Sequence, residues 1–188
     1  MGQAIQAQCK QFDFIASDFQ AKAINLNNIS AVIDFSSPAG FIACVNFCIE
    51  HNLPLISGTT GLSEEHVLLI STAKKSIPIL IASNMSLGIA NLKRLIKEYL
   101  MSMSIPSKCS ITEIHHINKK DSPSGTALEI CRFLEGLSGS KIDGPIEIQS
   151  HRIGNVFGMH RIDFENAEGT TTFQHIANSR NIFAKGAL

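Results

Sequence analysis

Apolar and polar positions follow two periods along this chain. Short apolar runs bounded by small polar residues read as strands, and stretches with apolar residues three or four apart read as helices. In the first half, residues 1–7 read as helix. Residues 12–16 form an apolar strand ending at Ser17-Asp18. Residues 29–35 give a second strand, closed by Ser36-Ser37-Pro38, and a helix is expected over 38–51. Residues 53–57 give a third strand ending at Gly58-Thr59-Thr60-Gly61. A helix capped at Ser63-Glu64-Glu65 follows, to about Lys75. Residues 77–82 form a fourth strand closed by Ser83-Asn84-Met85. Strands alternating with helices predict a parallel α/β sheet, whose ligands bind beyond the carboxyl ends of the strands.

The second half has a different rhythm. Residues 85–103 read as one long helix with Ile89, Leu92, Leu95, Ile96 and Leu100 on one face. Strands are expected over 108–117, 145–153, 158–166 and 169–176, with a hairpin turn at Glu168-Gly169. This order predicts a mixed or antiparallel sheet in an α+β domain, and Asn84-Met85-Ser86 reads as a hinge between two small domains.

The chemistry concentrates in Glu113-Ile114-His115-His116-Ile117-Asn118-Lys119-Lys120-Asp121-Ser122-Pro123-Ser124-Gly125-Thr126-Ala127. An alternating strand runs into Pro123-Ser124-Gly125-Thr126, which opens a helix. Ser124 or Thr126 can cap it, and Thr126-x-x-Glu129 fits a capping box. Leu128, Cys131, Phe133 and Leu134 are expected on its apolar face. A helix N-terminus offers unpaired N–H groups and positive potential, Gly125 permits close approach, Lys119 adds charge, and two histidines can carry a proton. The pattern points to a small carboxylate ligand with proton donation. The same residues also read as strand histidines followed by an ordinary cap.

Composition narrows the field. The 188 residues carry sixteen basic and sixteen acidic side chains and are 44% hydrophobic, so no polyanion or membrane-surface partner is implied. No run is long enough to span a membrane, and the polar N-terminus has no signal-peptide character. Cys9, Cys44, Cys48, Cys109 and Cys131 follow neither a zinc-site nor a disulfide spacing and read as buried thiols of a reducing, cytoplasmic protein. His51, His66, His151, His160 and His175 form no ligand pair, so no metal is expected.

The stretch E-x-H-H-x-x-K-x-D-x-P-S-G-T-A resembles the signature of the dihydrodipicolinate reductase family, and other segments agree along nearly the whole chain. Asp34-Phe35-Ser36, Gly58-Thr59-Thr60-Gly61 and the 82–88 segment resemble three stretches that line the family's nicotinamide cleft. The resemblance implies a Rossmann-like α/β dinucleotide-binding domain over 1–86, rejoined by 180–188, and an α+β substrate and oligomerisation domain over 87–179. It implies NADPH- or NADH-dependent reduction of 4-hydroxy-tetrahydrodipicolinate in lysine and diaminopimelate synthesis, by a homotetramer assembled through the substrate-domain sheet.

By the same resemblance, His115 is the acid and Lys119 holds and polarises the substrate. His116, Ser124, Gly125 and Thr126 bind carboxylate. Gly2, Asp18, Phe35, Ser36, Gly58, Thr59, Thr60, Ala82, Ser83, Asn84 and Met85 meet the cofactor. The family opens with a strand and a G-x-x-G-x-x-G loop, of which Met1-Gly2 resembles only the last two residues. The chain is thus expected to be short at both ends, with a weakened first half and poor dinucleotide binding. That expectation leaves open a non-catalytic remnant or a simple dicarboxylate-binding module.

Overall fold

A computed structural model describes residues 1–9, 29–137, 139 and 141–188 of the chain. It divides into two compact units, one comprising Met1–Met85 with Ala184–Leu188 and the other Ser86–Phe183. The strand expected over 12–16, and Asp18, lie outside the described residues.

In the first unit, helix α1 (Gly2–Gln8) precedes strand β1 (Val32–Asp34), helix α2 (Pro38–Glu50), strand β2 (Leu55–Ser57), helix α3 (Glu64–Ala73) and strand β3 (Ile79–Ile81). The three strands pair in parallel in the order β1-β2-β3, with Asp34 opposite Ser57 and Ser57 opposite Ile81. Every strand is shorter than its apolar run. Leu53 and Ile77 direct their N–H groups to the ends of the preceding helices, bonding Cys48 and Ala73, and the prolines that follow have no N–H to give a ladder.

Helix α2 starts where Ser37 accepts from the Gly40 N–H with Pro38 in the first turn, a strong helix start. At α3, the Ser63 N–H donates to His66 Nδ1 at 3.1 Å, so a histidine takes the place usually held by Glu or Gln. Phe41, Val45, Cys48, Leu55 and Ala73 form the core of this unit. Cys44 and Cys48 do share a buried helix face, and burial pushes their thiols up to about 12 and about 11 respectively, so both stay protonated.

In the second unit, helix α4 (Leu87–Ser102) leads to strand β4 (Lys108–His115), helix α5 (Gly125–Leu137) and strands β5 (Glu147–Arg152), β6 (Met159–Asn166) and β7 (Gly169–Ile176). Helix α6 (Asn181–Ala187) closes the chain. The sheet order is β5-β4-β6-β7; β4 and β5 are parallel and the other pairs antiparallel, so the sheet is mixed as expected.

Ile89, Leu92, Ile96 and Leu100 of α4 are buried, whereas Leu95 stays 45% exposed because it lies beside that stripe rather than within it. On α5 the buried set is Thr126, Ala127, Ile130 and Leu134; Leu128, expected inside, faces out. The β6–β7 turn is Ala167-Glu168, not Glu168-Gly169. The Glu168 N–H bonds Asn166 Oδ1, and Gly169 enters β7 at φ +135°, a conformation that favours glycine.

One buried carboxylate ties the strand ends of the first unit together. Asp34 Oδ1 accepts from the Ser36 N–H at 3.0 Å and its hydroxyl at 2.5 Å; Oδ2 accepts from the Ser57 and Thr59 hydroxyls, both at 2.7 Å. Asp34→Asn turns half of this acceptor into a donor facing hydroxyls. It is expected to cost the first unit about 1–3 kcal/mol, readable as a lower denaturation midpoint with an unchanged slope.

Candidate functional site

Strand β4 sets the geometry of the second unit's polar cluster. Side chains alternate along a strand, so Cys109, Ile111, Glu113 and His115 all point to the buried face. The strand stops at His115 rather than running to Ile117. His115 is 7% exposed, and His116 lies just past the strand, half-buried. The two adjacent histidines therefore occupy different settings.

Glu113 is fully buried and its oxygens are shared among three elements. Oε1 accepts from Arg152 Nη1 and Nη2 of β5 at 3.1 and 3.0 Å, and from the Ser124 N–H at 3.1 Å. Oε2 faces His115 Nδ1 in a close ion-pair contact. Burial acts to raise the carboxyl, but hydrogen bonds from His115, Ser150 and Arg152 outweigh it and hold Glu113 well below the usual carboxylate range. Arg152 Nη2 also donates to the Asp121 carbonyl, which pins the loop before α5.

The start of α5 differs from the expected capping box. Ser124 is the cap: its hydroxyl accepts from the Ala127 N–H at 3.2 Å and its carbonyl accepts from the Leu128 N–H. Glu129 instead pairs with Lys93 of α4 at 2.8 Å. The N–H groups offered to an anion already have partners in part, since Asp121 Oδ2 receives the Gly125 N–H at 3.4 Å. Asp121 also pairs with Lys119 Nζ at 2.7 Å. Burial would raise the Asp121 carboxyl, but the Lys119 hydrogen bond and charge hold it below its ordinary value. Lys119 and the helix start thus share one internal anion.

His160, on β6, closes the cluster. Its ring meets that of His115 edge-on with centroids 5.1 Å apart, and its Nε2 lies 3.3 Å from the Ser124 hydroxyl. Burial first, then the charge of His115, pushes the His160 imidazole down to about 3, so it is neutral at ordinary pH. His116 is also pushed down, by burial and then by Arg180, and acts more readily as a neutral hydrogen-bonding group than as a cation. His116 lines a cavity of about 360 Å³ with Asn118, Asn155, Phe157 and Arg180. His115, Lys119, Ser124, Gly125 and Thr126 do not line that cavity.

Arg152 and His160 lie in Ser150-x-Arg152-x-Gly154-x-x-x-Gly158-x-His160 and Arg180 in His175-x-x-x-Ser179-Arg180, segments that resemble the family in the sequence but were given no site role there. Only pairing across β4, β5 and β6 brings the first two to Glu113 and His115. Glu113, His115 and His160 also have ligand-type atoms within 4.8 Å of one another, the one such group among the described residues. The Arg152 charge on Glu113 opposes a cation there.

The residues named for a nucleotide gather at one end of the first unit's sheet, in the loops that follow β1, β2 and β3. Phe35 and Ser36, then Gly58 to Thr60, then Ala82 to Met85 occupy adjacent loops, because Gly58 N–H bonds Asp34 and Ala82 N–H bonds Ser57. Two hydroxyls expected to face a ligand are engaged inside: those of Ser36 and Thr59 both donate to Asp34. Thr60 is exposed, and Gly61 takes φ +77°. Gly58 packs under Phe35, where a side chain would meet the ring at 2.1 Å. Gly2 is exposed at the start of α1.

Comparison with known proteins gives a consistent result. Residues 1–85 match the model for the N-terminus of dihydrodipicolinate reductase, and residues 88–188 match the model for its C-terminus. The 4-hydroxy-tetrahydrodipicolinate reductase of Rickettsia rickettsii (strain Sheila Smith) is 36% identical over a 171-residue alignment that covers 86% of this chain and 71% of that protein. That of a Nitratiruptor species is 40% identical over 176 residues, 84% of this chain and 68% of the relative. A dipicolinate-bound dihydrodipicolinate reductase from Paenisporosarcina sp. TG-14 shares the fold, with TM-score 0.62 and 21% identity, over 84% of this chain and 65% of its own.

Two of the perturbed groups at the cluster, His160 and Glu113, predict acid lability. Both have lowered folded values, so each stabilises at high pH and loses that contribution as pH falls. For His160 the loss spans its ordinary 6.5 down to about 3; for Glu113 it begins near its ordinary 4.5. Urea unfolding of the second unit at about pH 7 and about pH 4 is expected to differ by roughly a few kcal/mol. His160→Gln, which cannot titrate, is expected to remove the part of that loss above about pH 5.

Proposed function

The chain belongs to the dihydrodipicolinate reductase family, and on that premise we propose that it reduces 4-hydroxy-tetrahydrodipicolinate to tetrahydrodipicolinate in lysine and diaminopimelate synthesis. The observation that carries this reading is the cluster at the end of β4: a buried histidine with a carboxylate on its Nδ1, beside a lysine and a helix start that share an anion. A dicarboxylate substrate is the kind of ligand such a site takes.

In this reading, a substrate carboxylate takes over the Lys119 ammonium and the Gly125 N–H from Asp121, with Ser124, Thr126 and His116 completing its hydrogen bonds. Lys119 draws electron density from the ring. The C4 hydroxyl first leaves as water together with a proton from the neighbouring carbon. C4 of the resulting unsaturated ring then receives hydride and His115 gives a proton to that neighbouring carbon, so hydride and proton follow the loss of water. A nicotinamide nucleotide supplies the hydride when bound. The adjacent loops after β1, β2 and β3 fit such a group: they bring small residues and an exposed threonine to one sheet end. Phe35, Ser36, Gly58, Thr59, Thr60, Ala82, Ser83, Asn84 and Met85 would hold it there, with Gly2 and Asp18. Ser36 and Thr59 would act through their backbone and by positioning, since their hydroxyls belong to Asp34.

The first unit is then the dinucleotide-binding domain, and the second the substrate and oligomerisation domain. Assembly as a homotetramer would use the second unit's sheet, whose edge strands β5 and β7 each pair on one side only. The mass measured by light scattering is then four times the 20.4 kDa chain. No helix among the described residues is long and apolar enough to cross a membrane, and free thiols, four buried and Cys131 only half-buried, suit a reducing cytoplasm.

Two substitutions test the roles. His115→Gln is expected to lower kcat by about 10²–10⁴ with a small change in KM; near-normal turnover removes it from the acid role. Lys119→Ala is expected to weaken pyridine-2,6-dicarboxylate by about tenfold to a hundredfold, the loss of a charge-assisted hydrogen bond. Calorimetric titration with NADPH and with NADH tests the cofactor and its preference. Saturable binding of either supports the reductase. Binding of the dicarboxylate alone favours a dicarboxylate-binding module.

A further inference from the structure

Glu113 has no counterpart among the residues assigned to substrate or proton transfer, yet it is the most heavily bonded side chain of the cluster. We propose that Glu113 is a positioning residue that acts through His115. It fixes the imidazole with the proton on Nδ1 and presents Nε2 as the atom that delivers the proton, with Arg152 as the counter-charge.

The argument starts from strand geometry. Positions two apart on β4 share a face, so Glu113 and His115 meet without any loop between them. An ionised carboxylate only accepts hydrogen bonds, and Glu113 is held ionised well below the usual range. The His115 nitrogen that faces Oε2 must therefore carry hydrogen, which makes it Nδ1–H. Nε2 is left as the nitrogen whose protonation can change. Gly158 lies over Nε2, where a side chain would come within 3.1 Å. A residue without a side chain keeps that side of the ring clear.

The surrounding charges are balanced for this task. Arg152 from β5 donates twice to the other carboxylate oxygen, so the pair presents little net charge to the ring. His160 from β6 is held neutral and adds none. His175 from β7 is lowered by burial as well. Lys119 pairs with Asp121 on the loop before α5, and half-buried His116, also pushed toward its neutral form, follows directly. The carboxylate thus fixes the orientation of the ring, and Arg152 is the carboxylate's counter-charge. The other tautomer would turn a lone pair toward the carboxylate and lose the Nδ1–H···Oε2 bond that orients the ring, which is the cost of neutralising the carboxylate in such pairs.

This proposal rests on the reductase reading for its kinetic arm but not for its spectroscopic arm. Nitrogen-15 spectra of the His115 ring, without substrate or nucleotide, are expected to show Nδ1–H in the unaltered chain when neutral. Glu113→Gln is expected to shift the ring toward Nε2–H. Arg152→Gln, which leaves the carboxylate in place, is expected to keep Nδ1–H. In turnover, Glu113→Gln is expected to lower kcat by about 10²-fold or more, with KM changed by less than about threefold. An Nε2–H ring in the unaltered chain overturns the proposal, even if Glu113→Gln does not fold. So does a Glu113→Gln protein with an unchanged tautomer and proportionate losses of stability and activity, since that is what a purely structural acid would give. An unaltered chain with the expected tautomer but no turnover with NADPH or NADH refutes the reductase reading instead.

Discussion

A fully buried carboxylate is tolerated only when its charge is neutralised and its lone pairs are filled, and the second unit is built around satisfying Glu113. Arg152 brings β5 to it, Ser124 brings the start of α5, and His115 closes the remaining side. Remove the acid and three elements lose their common partner. The parallel pairing of β4 and β5 puts Arg152 opposite His115 in register, so the arginine reaches back to an acid two residues earlier. The same constraint explains why the loop from His116 to Pro123 has a defined course: Arg152 also holds its Asp121 carbonyl.

The first unit solves a similar problem on a smaller scale. Asp34 sits at the carboxyl end of β1 and gathers hydroxyls from the end of β2 and from the loops after β1 and β2. Its donors are all neutral, whereas Glu113 also receives a charged guanidinium. Hydroxyl donors give a rigid junction, whereas the second unit adds a fixed guanidinium charge and an imidazole, the one group of the two that can gain or lose a proton. In both units a buried acid near a strand end orders the loops from which a site is made. The engaged hydroxyls of Ser36 and Thr59 show how one residue type can look like a ligand contact in the sequence and be an internal strut in the fold.

Electrostatics divides the histidines by function. His160 and His116 are driven toward neutrality by burial and by nearby cations, so neither competes for the proton. Asp121 balances both Lys119 and the start of α5, so neither is left with an unpaired charge.

Much of this was legible in one dimension. The α/β order of the first half, the mixed sheet of the second, the long helix α4, and the run from Glu113 to Ala127 follow from periodicity, caps and a motif, because each depends on neighbours in sequence. Errors arose where a distant partner decided. Strand lengths in the first unit were set by helix ends and prolines; Leu95 and Leu128 were turned outward by the direction of packing. The cap of α5 went to Ser124 because Glu129 was drawn to Lys93. The sequence by itself determined which side chains could do the chemistry and on which strand face Glu113 and His115 would lie. Only the tertiary structure decided that Arg152 and His160 join them, since strand pairing joins residues dozens of positions apart, and the low polarity of the buried cluster then settles which of these groups carry charge.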